Sequence, residues 1–299
     1  MEEAGRAARC IARDDADYPR ALLLADSPPG RVWVQGDLSL LDRPSAGIIG
    51  ARKPSRYGLG VAHDAARELA AAGVVIVSGL AEGLDSRAHR GALDAGGATI
   101  GVLGTGLDVA YPAHNAELQE EVKRRGLVMS EYPPHFEPKP WQFVQRNRLI
   151  AALSRVLVVV EGRIRSGTAN TAQWMQQLGR EIFAVPGRIG DPMSEGPNNM
   201  IRDGAHPYLH PNDVLRLLQL PLLPEEKPPG NARNPEVPTP GLRGAEAAVF
   251  DILGRTPIHV DAIATRCELD AGMLLAALSS LEMQGLVEQH PGKRFALAS

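Results

Sequence analysis

Four short corners rich in glycine, serine and threonine hold most of the residues that could do chemistry. One carries Arg52, Lys53 and Arg56 within Gly50-Ala51-Arg52-Lys53-Pro54-Ser55-Arg56-Tyr57-Gly58. The others are Ser78-Gly79-Leu80-Ala81-Glu82-Gly83-Leu84-Asp85, Gly104-Thr105-Gly106-Leu107-Asp108 and Glu161-Gly162-Arg163-Ile164-Arg165-Ser166-Gly167-Thr168. If these corners meet on one rim, Arg52, Lys53, Arg56, Arg163 and Arg165 stand beside many backbone N–H donors, which is the composition of a phosphate-binding groove. No corner is specific alone, because a glycine-rich turn equally serves positive φ or the close approach of a helix. Their convergence carries the reading. None of them is Gly-x-Gly-x-x-Gly, and Gly-x-x-x-x-Gly-Lys-Ser/Thr does not occur, so no free nucleotide cofactor is expected.

A second concentration runs from Tyr132 to Arg148, where Tyr132, Phe136, Trp141 and Phe143 alternate with Lys139, Arg146 and Arg148. Aromatic faces for bases and cations for the backbone are what sequence-independent binding of a single strand requires, each stack contributing roughly 1–3 kcal/mol. The plainer reading keeps Trp141 and Phe143 as core residues at a helix start and the arginines as its solvated face. Catalytic sets are harder to assemble. The eight histidines are scattered, none at metal-ligand spacing, so no metal is expected, and no Gly-x-Ser-x-Gly elbow accompanies Ser78 or Ser166. Asp85, Glu131 and Glu161 could act as acid or base, although a carboxylate near a helix start more often serves as a cap.

The elements that must position these groups form an α/β series. Strands are predicted at 47–49, 74–77, 99–103, 127–129, 156–160 and 181–185, nearly all continuously apolar, as parallel strands covered on both faces are. Helices are predicted at 60–72, 86–95, 115–125, 141–153 and 168–178, with Gly73, Gly96, Gly126 and Gly179 as C-caps. This predicts an extended Rossmann-like, doubly wound, mostly parallel sheet over 46–220, after a lead-in of 1–45 with a strand at 31–34 that packs on it. Seven prolines between 221 and 241 predict a linker. From 242 to 299, three helices (245–253, 260–266, 271–284) and a hairpin (286–289, 294–297) predict a small C-terminal winged-helix domain. Its recognition helix contains no Lys or Arg, so the domain reads more as a protein-contact module than as a DNA reader.

Composition bounds the rest. With 299 residues, 44% apolar and 22% charged, the chain is an ordinary globular protein long enough for one large and one small domain. Its net charge of −3 means that polyanion binding must come from a local patch. Cys10 and Cys267 lie at opposite ends, which excludes a disulfide framework. No signal-like or membrane-spanning apolar run occurs, so a cytoplasmic location without membrane contact is expected.

The series GARKPSRYG, SGLAEGLDSRAH, GTGLDVAYPAHN, SEYPP, RNRLIAALS, EGRIRSGTANTA and AVPG, preceded by DYPRALLLADSPPGRVWVQGD, resembles the DNA-processing protein A (DprA/Smf) family from about Tyr18 to Asn212. The resemblance implies a non-enzymatic homodimer that binds and protects single-stranded DNA and loads the RecA recombinase during natural transformation. It also implies that Arg52, Ser78, Gly79 and the loop through Gly83 to Asp85, with Arg146, Asn147, Arg148, Ser166, Gly167 and Thr168, line the DNA pocket; Lys53 joins them from the first corner. Some members carry a helical SAM-like domain before the lead-in, for which too few residues precede Tyr18, so it is expected to be absent. Two alternatives stay open. A nucleotide-sugar hydrolase similar to the phosphoribohydrolases would need a Glu after the Ser166-Gly167-Thr168 corner, where Asn170 and Thr171 stand instead. A double-strand regulator would act through the winged domain.

Overall fold

Two strands of the lead-in, β1 (Arg9–Ala12) and β2 (Arg31–Gly36), precede six short runs dominated by aliphatic residues: β3 (Ser45–Ile49), β4 (Val75–Ser78), β5 (Thr99–Leu103), β6 (Leu127–Ser130), β7 (Val156–Val159) and β8 (Ile182–Ala184). Every residue of β3 to β8 is buried, which explains why these runs read as continuously apolar. The computed structural model describes residues 7–224, 242, 244–254, 257–267 and 269–297. They fall into two compact units, Met1–Leu223 and Pro224–Ser299. Residues 225–241 of the expected linker lie outside the described residues.

Among the described residues the first unit is built on one sheet of order β1-β2-β6-β5-β4-β3-β7-β8-β9, the last strand being the two-residue β9 (His206–Pro207). Strands from β6 across to β9 are parallel; β2 joins β6, and β1 joins β2, antiparallel, so the lead-in extends the sheet. The proline of β9 is tolerated because the strand lies at an edge.

Alternate strand residues feed opposite layers. Ile49, Val77, Val102, Met129 and Val159 pack with α4 (Pro140–Leu153) and α5 (Gly167–Gln177) through Leu149, Ile150, Ala172 and Met175. Ile48, Ile76 and Val158 face α1 (Arg56–Ala71) and α2 (Leu84–Asp94), and Val128 faces α3 (Ala116–Arg125). Two short helices that the sequence pattern does not announce follow, α6 (Glu195–Arg202) and α7 (Pro211–Leu217). Gly73, Gly96 and Gly179 cap helices with positive φ as expected. Gly126 also caps its helix, α3, its N–H donating to the Val122 carbonyl oxygen at 2.8 Å, but at a φ of −147°; glycine is needed there because a Cβ would lie 2.2 Å from the Thr99 carbonyl oxygen.

Sheet order positions the site. From β3 the chain winds outward through β4, β5 and β6, then returns past β3 to β7 and β8. The helices after β3 and β7, namely α1 and α5, pack on opposite faces, so a crevice opens between the carboxyl ends of these two adjacent strands.

The second unit contains α8 (Ala245–Ile252), β10 (Ile258–His259), α9 (Val260–Cys267), α10 (Ala271–Met283), β11 (Val287–His290) and β12 (Arg294–Leu297), its three strands in the order β10-β12-β11. Three helices and an antiparallel wing around Phe250, Ile263, Leu274, Leu281, Val287 and Phe295 make a winged helix. Asp270 caps α10 by accepting from the Met273 N–H at 2.9 Å.

Candidate nucleic-acid interface

The corner after β3 is fixed by its backbone, which leaves its cations free. Ala51 N–H donates to the Glu161 carbonyl oxygen at 2.8 Å. The buried Glu161 carboxylate accepts from Ser55 N–H at 2.9 Å and from the Ser55 hydroxyl at 2.5 Å, and Ser55 Oγ in turn caps α1 by accepting from Gly58 N–H at 3.0 Å. Arg52 and Lys53 project from this pinned loop, exposed and without an ion-pair partner among the described residues. Arg52 lies 5.4 Å from the centroid of the Phe143 ring, which stacks on Tyr111 at 5.0 Å.

The facing corner, after β7, ends in the N-cap of α5. Ser166 Oγ accepts from Ala169 N–H at 3.4 Å and donates to the Arg163 carbonyl oxygen at 2.8 Å. Arg163 and Arg165 are exposed and likewise lack ion-pair partners among the described residues. Between the two corners lies a cleft of about 380 Å³ lined by Arg52, Lys53, Asp85, Arg146, Asn147, Arg163, Arg165, Ser166, Gly167 and Thr168, with Phe143 and Met193 among its apolar walls. Four unpaired cations beside the positive end of a helix give it the electrostatics of an anion site.

Beneath the rim the structure separates residues that touch the cleft from residues that brace it. Arg146 is 3% exposed; its guanidinium donates to the Gly79 carbonyl oxygen at 2.7 Å and to that of Val102. Burial lowers its pKa to about 10, opposed by the Asp85 carboxylate and assisted by Arg52. It stays charged at neutral pH. Asp85 is also buried, which raises its pKa against the influence of Arg146, and it accepts from Gly79 N–H at 3.1 Å. Gly79 has no room for a side chain, since a Cβ would stand 2.5 Å from Arg146 Nη2. Gly83, at φ +88°, packs against the backbone of Ala51 and Arg52 and opens α2. Asn147 reaches across to the Gly167 carbonyl oxygen at 3.2 Å.

Four residues of the expected set do not line the cleft, the first being Gly79, which borders only a smaller pocket beside it. Ser78 is fully buried, its hydroxyl donating to the Ile48 carbonyl oxygen at 2.7 Å. Gly83 supplies backbone geometry behind the rim. Arg148 makes a bidentate ion pair with Glu131 at 2.8 and 2.7 Å and donates to the carbonyls of Asp26 and Ser27, tying α4 to the lead-in. Arg56 is exposed at the start of α1 but is not part of the cleft wall. The three carboxylates weighed as acids or bases are engaged otherwise: Asp85 by Gly79, Glu161 by Ser55, and Glu131 by Arg148.

The aromatic segment divides in the same way. Tyr132 is buried and stacks on Phe136 at 4.9 Å, with Trp141 edge-on at 6.1 Å. Phe143 belongs to the cleft. Its stacking partner Tyr111, 43% exposed, is the residue that sequence reasoning missed; a single tyrosine before a proline carries no pattern that would have placed it there. Tyr111, Phe143 and Arg52 also enclose a smaller adjoining pocket with Gly79 and Glu82.

Among the described residues no cluster of His, Cys, Asp and Glu could hold a metal, and no helix is long and apolar enough to cross a membrane.

Comparison with known proteins adds an independent line. Residues 9–219 match the family profile of DNA recombination-mediator protein A, and residues 233–293 match that of the DprA winged helix domain. Protein Smf of Synechocystis sp. is 35% identical over 311 residues, 94% of this chain and 78% of its own. DNA processing protein DprA of Streptococcus pneumoniae is 40% identical over 201 residues, 67% of this chain and 71% of its own. Among solved structures, DNA processing protein A of S. pneumoniae superposes with a TM-score of 0.67 at 38% identity, covering 72% of this chain and 75% of that one. DNA processing protein A of Helicobacter pylori, whose structure concerns its single-stranded DNA binding mode, gives 0.65 at 32% identity, covering 73% and 98%.

Proposed function

The chain belongs to the DNA recombination-mediator protein A family, and from that premise we propose that it binds single-stranded DNA in the cleft between β3 and β7. The observation that carries this reading is the meeting of four unpaired cations, Arg52, Lys53, Arg163 and Arg165, at the start of α5 beside the Phe143–Tyr111 stack. Phosphates are held by the guanidinium and ammonium groups and by the N–H groups opening α5. A base stacks against the aromatic pair. A duplex fits this reading poorly, because its bases are already stacked on one another and offer no free face to Phe143.

The proposed role is protection and hand-over of single strands during natural transformation and recombination, as a cytoplasmic homodimer that loads the RecA recombinase. The family description as a recombination mediator supports the hand-over. We propose no catalytic step: Asp85, which lines the cleft, and Glu161, which braces its first corner, are occupied by backbone and hydroxyl donors, and the α5 corner continues into Asn170 and Thr171 rather than a glutamate.

Titration with single-stranded and duplex oligonucleotides of equal length, for the parent protein and Arg52→Ala, tests the reading. The expected result is preference for the single strand and a strong loss of that affinity in the variant with folding intact. Equal affinity for both forms, or unchanged binding by Arg52→Ala, contradicts it. Release of free base from nucleoside monophosphates would restore the hydrolase alternative.

A further inference from the structure

We infer that the loop after β8, residues 186–194, extends the single-strand track beyond the cleft, with Arg188 holding a phosphate and Ile189 packing against a base or sugar. This rests on the single-strand reading of the cleft and lengthens its footprint.

Position comes first. β8 pairs in parallel with β7, Val159 opposite Ala184, so its loop leaves from the sheet edge that carries the cleft, one strand spacing of about 4.8 Å further along. The two loops are joined: Gly162 N–H donates to the Met193 carbonyl oxygen at 2.8 Å, Gly196 N–H donates to the Gly162 carbonyl oxygen at 3.0 Å, and Met193 is itself part of the cleft wall. A strand leaving the cleft past Arg163 and Arg165 therefore meets this loop next.

The loop is also built to hold its tip out. Asn198 clamps Gly187 from both sides, accepting from its N–H at 3.0 Å and donating to its carbonyl oxygen at 3.1 Å. Asp191 accepts from Met193 N–H at 2.9 Å and from the Ser194 hydroxyl at 3.3 Å. Between these braces Ile189 is fully exposed, at 101% of its reference area, and Arg188 is exposed with no ion-pair partner among the described residues. The neighbouring loop repeats the combination, with Ile164 52% exposed between Arg163 and Arg165.

Apolar side chains alternating with free cations on consecutive loops match a polymer that alternates apolar base and charged phosphate. Covering Ile189 recovers the free energy of its exposed area, whereas a second copy of this chain on the same surface would set arginine against arginine.

The test compares thymidine oligonucleotides of about 6 and about 20 nucleotides, lengths near and beyond the ends of the roughly 4–16 nucleotide footprint common to single-strand binders. Ile189→Ser should weaken binding of the long oligonucleotide about five-fold without changing its salt dependence. Arg188→Ala should weaken it and reduce the salt slope by about 0.7, one phosphate contact. Neither variant should affect the short oligonucleotide, whereas Arg52→Ala should weaken both. Parent-like binding of the long oligonucleotide by both variants overturns the inference, and so does equal weakening at both lengths. A changed subunit number in light scattering with unchanged affinity would assign the tip to self-association and overturn it too. If Arg52→Ala also binds like the parent, the failure lies with the cleft reading instead.

Discussion

At the scale of single residues, Arg52 and Arg148 belong to one expected cationic set, yet their guanidinium groups meet opposite surroundings. Arg52 stands over Phe143 at the cleft mouth; Arg148 is 5% exposed and paired with a Glu131 carboxylate almost as deeply buried. The sequence places Arg146, Asn147 and Arg148 in one run, but successive helix residues are turned about 100° from each other, so one groove cannot receive all three. That much was legible from the helix assignment alone. Which of them turns inward was not, because it depends on Gly79, Val102 and Glu131, far away in the chain. Arg148→Ala strands Glu131 without its partner, and unfolding stability should fall by about 3–5 kcal/mol, read as a lower urea midpoint. Arg52→Ala should stay within about 0.5 kcal/mol of the parent. Parent-like stability of Arg148→Ala together with lost DNA binding would return Arg148 to the site.

At the scale of elements, α2 is fastened to the sheet by a buried histidine. His89 shares a hydrogen bond with the Thr99 hydroxyl of β5 at 2.7 Å, and its Nε2 accepts from Leu80 N–H, just beyond β4, at 3.3 Å. Accepting there requires the neutral Nδ1–H tautomer, and burial lowers the pKa to about 3, with Arg146 adding to the shift. The folded state thus binds a proton less readily than the unfolded chain. His89 stabilises the fold fully above the ordinary histidine range and loses that contribution as pH falls from about 6.5 toward about 3, on the order of 2 kcal/mol by about pH 5. His89→Gln should flatten the stability profile between about pH 5 and about pH 7; a profile unchanged from the parent would contradict this. The six central strands were readable because burial on both faces leaves no polar alternation. β9 and α7 were not, since two residues including a proline, or a seven-residue helix that opens on one, are too short to carry a period.

At the scale of the whole molecule, the reversal of strand order between β3 and β7 does what no single loop could. It brings corners more than a hundred residues apart to one edge and leaves the helices behind them on opposite faces, so a cleft forms in a protein whose net charge is −3. The corners were legible as candidates; their meeting depended on winding order, which short apolar strands do not reveal. In the winged unit, α10 carries no Lys or Arg and exposes Met273, Leu275 and Met283. The most direct test of the cationic cleft is the dependence of single-strand affinity on salt. For an oligonucleotide of about 6 nucleotides, confined to the cleft, about four phosphates are neutralised, one for each unpaired cation of the cleft, and the slope of log affinity against log salt should be about −2.8, a loss of about fifty-fold between about 50 and about 200 mM. Arg52→Ala should bring the slope to about −2.1. A flat response in the parent protein, or a slope that Arg52→Ala leaves unchanged, would contradict the assignment of the cleft to the DNA backbone.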